Sequence, residues 1–395
     1  MFKRSIITAF ALAATFVHAA EPPIKIGEIA SYKMDAVYLT PYKKGMELAV
    51  EEINAAGGVL GRKIELVIRD DNGNPGDAIR TAEELRTREK IDFLIGSDFS
   101  NIAVALGNWA KSKKMLFIAG EPQTDALTWS AGNEYTFRLR PSVWMQTAAL
   151  VQQAAPMKKK RWALVYPNFE WGTSAVAAFK KQLLAQQPDA EFVADIPVPF
   201  YDIDAPSVVQ KLIDSKADAV FVQQVASDLQ KFVREGNQRG VFGKMQVFGM
   251  MAGEPEYLDT LKTETPKGWI VTGYAWQSVK TPEHQAFEAA WKKKYGEGLK
   301  SGAMVGYSLV KLSADMLKKT GSTDTDAMLK TMNNFNTETP LGRVTFRAID
   351  HQSTMGLFVG KLDVVNGEGV MKDSVYIDGS KLLPSDEVVK TLRAK

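Results

Sequence analysis

The sequence predicts an α/β fold of two lobes, each built on a largely parallel sheet. Three observations carry that expectation. Strand-like and helix-like stretches alternate through nearly the whole chain, as βαβ units do. The length, 395 residues, exceeds what a single hydrophobic core usually serves. One succession of elements also occurs twice. "IDFLIGSDFSNIAVALGNWAKSKKMLFIAGEP" runs strand, polar turn, helix, basic turn, strand, and ends on Gly120, Glu121 and Pro122. "ADAVFVQQVASDLQKFVREGNQRGVFGKMQVFGMMAGEP" repeats that order and ends on Gly253, Glu254 and Pro255. Asp92 and Asp218 open the two copies, and Ser100 and Ser227 follow at similar distances.

The elements follow in order. "MFKR", the apolar "SIITAFALAATFV" and the small-residue exit "HAAEPP" have the three-part layout of a secretory signal peptide. Cleavage is expected after Ala19, giving a signal peptide over residues 1–19. The apolar run is too short to span a bilayer. After the strand "IKIGEIA", Tyr42, Met46, Ala49 and Ile53 recur at helical spacing, with Pro41 expected in the first turn. Gly57 and Gly58 suit the left-handed cap of that helix. Ile64, Leu66 and Ile68 then alternate as a strand. Asp70 and Asp71 are expected to cap the loop after it. Further strands are "DFLIG", "MLFIAG", "WALVY", "AEFVADIPV", "AVFVQQ", "QVFGM" and "WIVTGY". Helices are expected over Pro75–Lys90, Asn101–Lys113 and Thr173–Gln187. In parallel sheets ligands sit beyond the carboxyl ends of the strands. The turns "GSDFSN", "AGEPQT", "YPNFEWG", "QQVASD" and "MMAGEP" are therefore the candidate lining of a cleft between the lobes.

Composition removes several function classes. There is no cysteine, which excludes disulfides, thiolate metal sites and cysteine nucleophiles. It also excludes a lipid-modified cysteine anchor, so the Gram-negative periplasm is the expected compartment. Basic and acidic residues number 49 and 46, too balanced for a nucleic-acid surface. The densest basic run, Lys158 to Arg161, reads as a solvated turn. The three histidines have no ligand spacing. No metal and no cofactor are expected.

The opening "GMELAVEEINAAGGVLGRKIELVIRDDNGNP", the "IGSDFS" turn, "LFIAGEPQTDALT" and "YTFRLRPS" together resemble the periplasmic solute-binding proteins of branched-chain amino acid ABC importers. The resemblance covers nearly the whole chain after the signal. It implies a type I periplasmic binding protein fold: two Rossmann-like lobes joined by three crossovers, closing on a ligand. The implied lobes are residues 24–140 plus 269–347, and 141–268 plus 348–395. The implied partners are a small-molecule ligand and an inner-membrane ABC permease, with no nucleic acid, and the protein is expected to be a monomer.

Ser100 matches the family serine that grips a ligand carboxylate. Physically, its hydroxyl and the unpaired first-turn N–H groups of Asn101 and Ile102 would face an anion. Where the family presents small residues and a threonine, this chain has Glu121, Pro122 and Gln123. Glu121 would repel a carboxylate unless it turns away, whereas the Gln123 amide can donate. Trp171 matches an aromatic closing over the ligand from the second lobe. Phe99, Tyr38 and Trp276 are candidates for further wall, with ordinary packing the better expectation for Tyr38 and Trp276. Met251 falls where amino-acid binders place an acid for the ligand ammonium, and Glu254 lies three residues on. Gln224 and Ser227 are candidate hydrogen-bonding residues of the second lobe. The expected function is a non-enzymatic binding component for a branched-chain amino acid or an aromatic or other small organic acid. The alternatives are a ligand sensor serving a separate membrane receptor, and a glycoside hydrolase using Glu121 and Glu254 across the cleft.

Overall fold

A computed structural model describes residues 21–393; the expected signal peptide lies outside the described residues. Five strands form the first sheet: β1 (Ile24–Ala30), β2 (Ile64–Asp70), β3 (Phe93–Gly96), β4 (Phe117–Ala119) and β5 (Thr136–Arg138). Their order is β2-β1-β3-β4-β5, parallel throughout. The second sheet begins with β6 (Arg161–Pro167), β7 (Glu191–Val198), β8 (Ala219–Val222), β9 (Gln246–Gly253) and β10 (Ile270–Gly273). A small hairpin, β11 (Asn336–Thr339) and β12 (Gly342–Thr345), precedes the long strands β13 (Leu357–Val365) and β14 (Glu368–Ile377). The second sheet's order is β14-β13-β10-β9-β8-β6-β7, antiparallel only where β13 and β14 join. Strands β3 and β8 are buried along their whole length, as parallel strands covered on both faces must be.

Helices α1 (Ala36–Ala55), α2 (Pro75–Glu84) and α3 (Ser100–Lys113) follow β1, β2 and β3. In the second lobe lie α4 (Val143–Ala154), α5 (Glu170–Gln186), α6 (Ala205–Ser215), α7 (Ala226–Gln238) and α8 (Pro255–Leu261). After β10 the chain returns to the first lobe with α9 (Pro282–Tyr295), α10 (Ser301–Thr320) and α11 (Thr325–Met332), and α12 (Asp386–Leu392) ends the fold. One apolar core joins the first sheet to α1 and α10, and another joins its opposite face to α2 and α3. Contact between α1 and α10 is backbone-close. A Cβ on Gly45 would stand 2.1 Å from the Ala303 carbonyl oxygen, and one on Gly306 2.1 Å from that of Tyr42.

All nine strands expected from sequence are present, and β5 and β11–β14 are additional. The duplicated element order is real. β3-α3-β4 and β8-α7-β9 occupy corresponding places, and the opening acids do the same work in both. Asp92 accepts the Lys25 amide at 2.8 Å and Asp218 accepts the Arg161 amide at 3.1 Å, each tying off the strand beside it. Asp71 accepts from Ser31 Oγ at 2.7 Å and the Gly73 amide at 2.8 Å, and Asp70 from the Asn72 amide at 2.6 Å. Both acids cap the loop, as expected. Gly57 and Gly58 hold φ of +105° and +86°.

Some boundaries differ from the sequence reading. Helix α1 starts at Ala36, so Pro41 sits within its second turn. The carbonyl it leaves unpaired, that of Val37, belongs to a half-exposed residue that water can reach. The return to the first lobe was expected at residue 269, but β10 still pairs with β9 and β13, so the crossover follows Gly273. The last crossover also falls later than residue 348. Gln352 bridges to Arg138 and Ser353 to Phe346, which holds this segment against β5 until β13 begins.

Candidate functional site

Between the carboxyl ends of the two sheets lies a cavity lined from both sides. The first lobe contributes Asp35 and Tyr38 from the start of α1, then Asp98, Phe99 and Ser100 from the β3–α3 turn. Glu121 and Gln123, beyond β4, and Arg140, beyond β5, complete that side. The second lobe adds Phe169 and Trp171 beyond β6, Phe200 and Tyr201 beyond β7, Val225 beyond β8, and Met251 and Tyr257. The lobes already touch around it. Thr124 donates to Glu170 at 2.6 Å, the Asp125 amide to Ser174 Oγ at 3.3 Å, and Gln123 Nε2 to Met251 Sδ at 3.1 Å.

The floor is an ionic node. Arg140 donates through Nη1 to Glu121 and through Nη2 to Glu254 at 2.7 Å, with its guanidinium 5.2 Å from the Tyr38 ring centroid. All three charged groups are buried. Both copies of the Gly-Glu-Pro sequence thus converge on one arginine of the first crossover. Glu254 also accepts from Ser301 Oγ, and Glu256 accepts the Gly302 amide at 2.9 Å, so two acids of the second lobe cap the start of α10. Burial pushes the Glu121 carboxyl up to about 7 although Arg140 pulls it down.

The walls are aromatic. Phe99 meets Phe200 edge-on at 5.3 Å, Phe200 packs on Phe169 at 4.6 Å and on Tyr201 at 4.0 Å. Trp171, on the first turn of α5, lies 6.2 Å from Phe169. Among these rings stand two acids without a cation of their own among the described residues. Burial raises the Asp35 carboxyl to about 6, and burial together with the charge of Asp35 holds Asp98 well above the usual range.

Of the residues singled out from sequence, Tyr38, Phe99, Ser100, Glu121, Gln123, Trp171 and Met251 line the cavity. Tyr38 does so against the packing expectation, because the longer α1 carries it to the floor. Trp276 is half-buried away from the cavity, in line with that expectation. The Asn101 and Ser227 side chains are exposed, since each lies one residue into its helix and points outward. Gln224 is buried but behind the lining, and Glu254 lies beneath it, held by Arg140 and Ser301. Ser100 opens α3 and its Oγ accepts the Thr124 amide at 3.3 Å, leaving the hydroxyl proton free to be donated. Asp98, Phe169 and Val225 also line the cavity; they lie in turns expected there but carry no signal that singles them out. Asp35, Arg140, Phe200, Tyr201 and Tyr257 lie outside those turns, the first four at the carboxyl ends of β1, β5 and β7, where the strand-end rule also holds.

The buried acids set a pH dependence. Burial and the charge of Glu254 raise Glu256 to about 8, so the folded protein holds that proton more tightly than the unfolded chain. Stability then falls as pH rises through this window. The histidines act oppositely only at lower pH, His284 and His351 being depressed to about 4 by burial. Raising the pH from 6.5 to 8.5 should therefore lower the unfolding temperature, by the equivalent of about 2 kcal/mol from Glu256. Thermal unfolding across that range checks it, and Glu256→Gln should flatten the slope.

Two lobes with a ring-lined cavity at the ends of their sheets are the architecture of a solute-binding protein. Residues 23–369 match the family described as periplasmic binding protein, and the chain belongs to it. Proteins of this family bind solutes and are exported, and those of ABC transporters work with a membrane permease. The chain is 28% identical over 340 residues to the Leu/Ile/Val-binding protein homolog 7 of Brucella melitensis, covering 82% of this chain and 84% of that one. Its fold is similar to that of an ABC transporter solute-binding protein from Rhodopseudomonas palustris BisB5 in complex with 3,4-dihydroxybenzoic acid. That match has a TM-score of 0.81 and 24% identity, and covers 91% of this chain and 99% of the other. It is also similar to the branched-chain amino acid transporter substrate-binding protein LivJ of Streptococcus pneumoniae in complex with isoleucine. Here the TM-score is 0.78 and the identity 22%, with 90% and 99% of the chains covered.

Proposed function

We propose that this protein is the periplasmic solute-binding component of an ABC importer, taking up one small organic molecule in the chamber between its lobes and presenting the closed form to an inner-membrane permease. The observation that carries this is the chamber itself: polar groups from the first lobe face an aromatic wall from the second, so a ligand touching both favours closure. The relatives point to an amino acid or an aromatic acid as the ligand. Delivery after cleavage of the signal peptide, action as a monomer and the absence of catalysis belong to the same reading. Sensing through a separate membrane receptor would use the same closed form. The glycoside hydrolase alternative loses its support, because Glu121 and Glu254 both engage the one guanidinium of Arg140.

The test is a thermal-shift and calorimetric screen of the mature chain with branched-chain amino acids and benzoate-type acids. A ligand at 100 times its Kd should stabilise by about 2.7 kcal/mol. Trp171→Ala and Ser100→Ala should each weaken binding of the compound so found by tenfold or more while the unfolding midpoint stays within a few degrees. Full affinity in Trp171→Ala would remove the second-lobe wall from the site.

A further inference from the structure

We propose that the enclosed ligand carries a cationic nitrogen, a protonated amine, seated among the cleft rings and neutralised by Asp98 and Asp35 of the first lobe. The inference rests on the solute-binding reading above and narrows it to one class of solute.

Three carboxylates line the cavity, those of Asp35, Asp98 and Glu121, against one cation, Arg140. Arg140 is already engaged by Glu121 and by Glu254 beneath. The charge of Arg140 reaches Asp98 only as a lesser influence than burial and the neighbouring acids, and no cation among the described residues is paired with Asp35. Asp71, at the end of β2, and Asp228, beside Tyr201, add negative field from behind. A ligand that brought only a carboxylate would add one more acid to a cavity that already holds its own acids partly protonated, whereas a cation would let them ionise.

The hydrogen-bonding inventory is independent of charge and gives the same answer. Glu121 and Gln123 are each 3% exposed and line the cavity, and Glu121 Oε1 and Gln123 Oε1 have no donor among the described residues. Asp98 Oδ2 is in the same position. The hydroxyls of Tyr38 and Tyr201 line the same cavity and are also without partners among the described residues, so three orphan acceptors face two O–H donors. Buried acceptors left without donors are costly, and a ligand N–H would supply the donor that is missing.

The walls give the third argument. Phe99, Phe169, Phe200, Tyr201, Trp171 and Tyr38 surround the acids. Ring faces attract a desolvated cation, whereas they offer an anion nothing. Met251 stands in the second-lobe wall where amino-acid binders place an acid, so a ligand ammonium would have to find its carboxylates in the first lobe. The raised proton affinity of Asp35, from burial, and of Asp98, from burial and the charge of Asp35, is the strain that a bound cation would relieve.

Two sources share this chemistry, a zwitterionic amino acid and a simple amine. Calorimetry on the mature protein with matched triads separates them: phenylalanine, phenethylamine and 3-phenylpropionate; isoleucine, 2-methylbutylamine and 3-methylpentanoate. The expected result is that a nitrogen-bearing member binds at least tenfold more tightly than its deaminated acid. An amine equal to its amino acid identifies a simple amine as the solute. An amine tenfold weaker than its amino acid assigns the carboxylate to Ser100 and the start of α3. Asp98→Asn should then cost tenfold or more, and Asp35→Asn serves as a second variant should the first not fold. Tighter binding of the deaminated acid, or unchanged affinity in both variants, would overturn the proposal. So would a neutral or anionic small molecule released on denaturing the purified protein, which would leave the solute-binding reading intact. No released molecule and no response to any compound would instead sink the solute-binding reading, and this inference with it.

Discussion

Replacing Arg140 by Met should destabilise the protein by about 3–5 kcal/mol. The side chain is buried and its guanidinium is the shared partner of Glu121 and Glu254, each 3% exposed. Removing it leaves two carboxylates close together in a medium that solvates neither. One or both must then take up a proton, so the loss should shrink at low pH and grow at high pH. The decisive comparison is the triple variant Arg140→Met, Glu121→Gln, Glu254→Gln. With the charges gone together, most of the lost stability should return, because breaking a buried pair costs more than never having it. Urea unfolding of the three proteins measures this. A triple variant no more stable than the single one would show that the arginine acts through packing on Tyr38 rather than through charge.

The second large effect is expected at the crossing of α1 and α10. Gly45→Ala adds one methyl group, and on an isolated helix it would be worth up to about 1 kcal/mol in favour of the helix. Here the sign should reverse. The new Cβ would lie 2.1 Å from the Ala303 carbonyl oxygen and 2.9 Å from the Ala303 Cα. These are backbone atoms that no rotamer change can move aside. The helices must separate, at a cost of about 1–3 kcal/mol for overpacking. Gly306→Ala, which meets the Tyr42 carbonyl from the other side at 2.1 Å, should behave alike. Because α1 carries Asp35 and Tyr38 and α10 starts at Ser301, separation should also weaken ligand binding. A Gly45→Ala protein as stable as the parent would mean that the two helices can slide past each other.

What the sequence revealed followed physical periods long enough to be read. The helices and the nine buried or alternating strands were legible because four or more residues repeat one pattern. β5 is three residues long, as is β4, but β4 lies in a continuous apolar run whereas β5 shows only the alternation of Tyr135, Phe137 and Leu139 with polar neighbours. The duplicated Gly-Glu-Pro marked its own importance but not its purpose. That Glu121 and Glu254 should share an arginine depends on how two lobes meet at a crossover, which no local pattern encodes. Phe200 and Tyr201 failed for another reason: the rule that placed the turns holding Phe99 and Trp171 in the cleft applies equally at the end of β7. Ser227 shows the reverse error. Its spacing mirrors that of Ser100, but Ser100 is the first residue of α3 and Ser227 the second of α7, and about 100° of helical rotation carries it to solvent.

The pairing of α1 with α10 also fixes the order in which the molecule can be completed. These helices are separated in the chain by the rest of the first sheet and most of the second lobe, yet together they cover one face of β1, β3 and β4. A growing polypeptide that has just finished β5 therefore has a sheet with α2 and α3 on one side and only α1 on the other. The second lobe has its central parallel strands in hand by residue 273, but its last two strands, β13 and β14, come after α10. Neither lobe is whole until the final hundred residues have been made. Such distant contacts form slowly, so the unfinished chain stays loose for most of its synthesis. For a protein of an exported family that delay is useful: a chain that cannot finish either lobe early is still a thread when it has to cross a membrane.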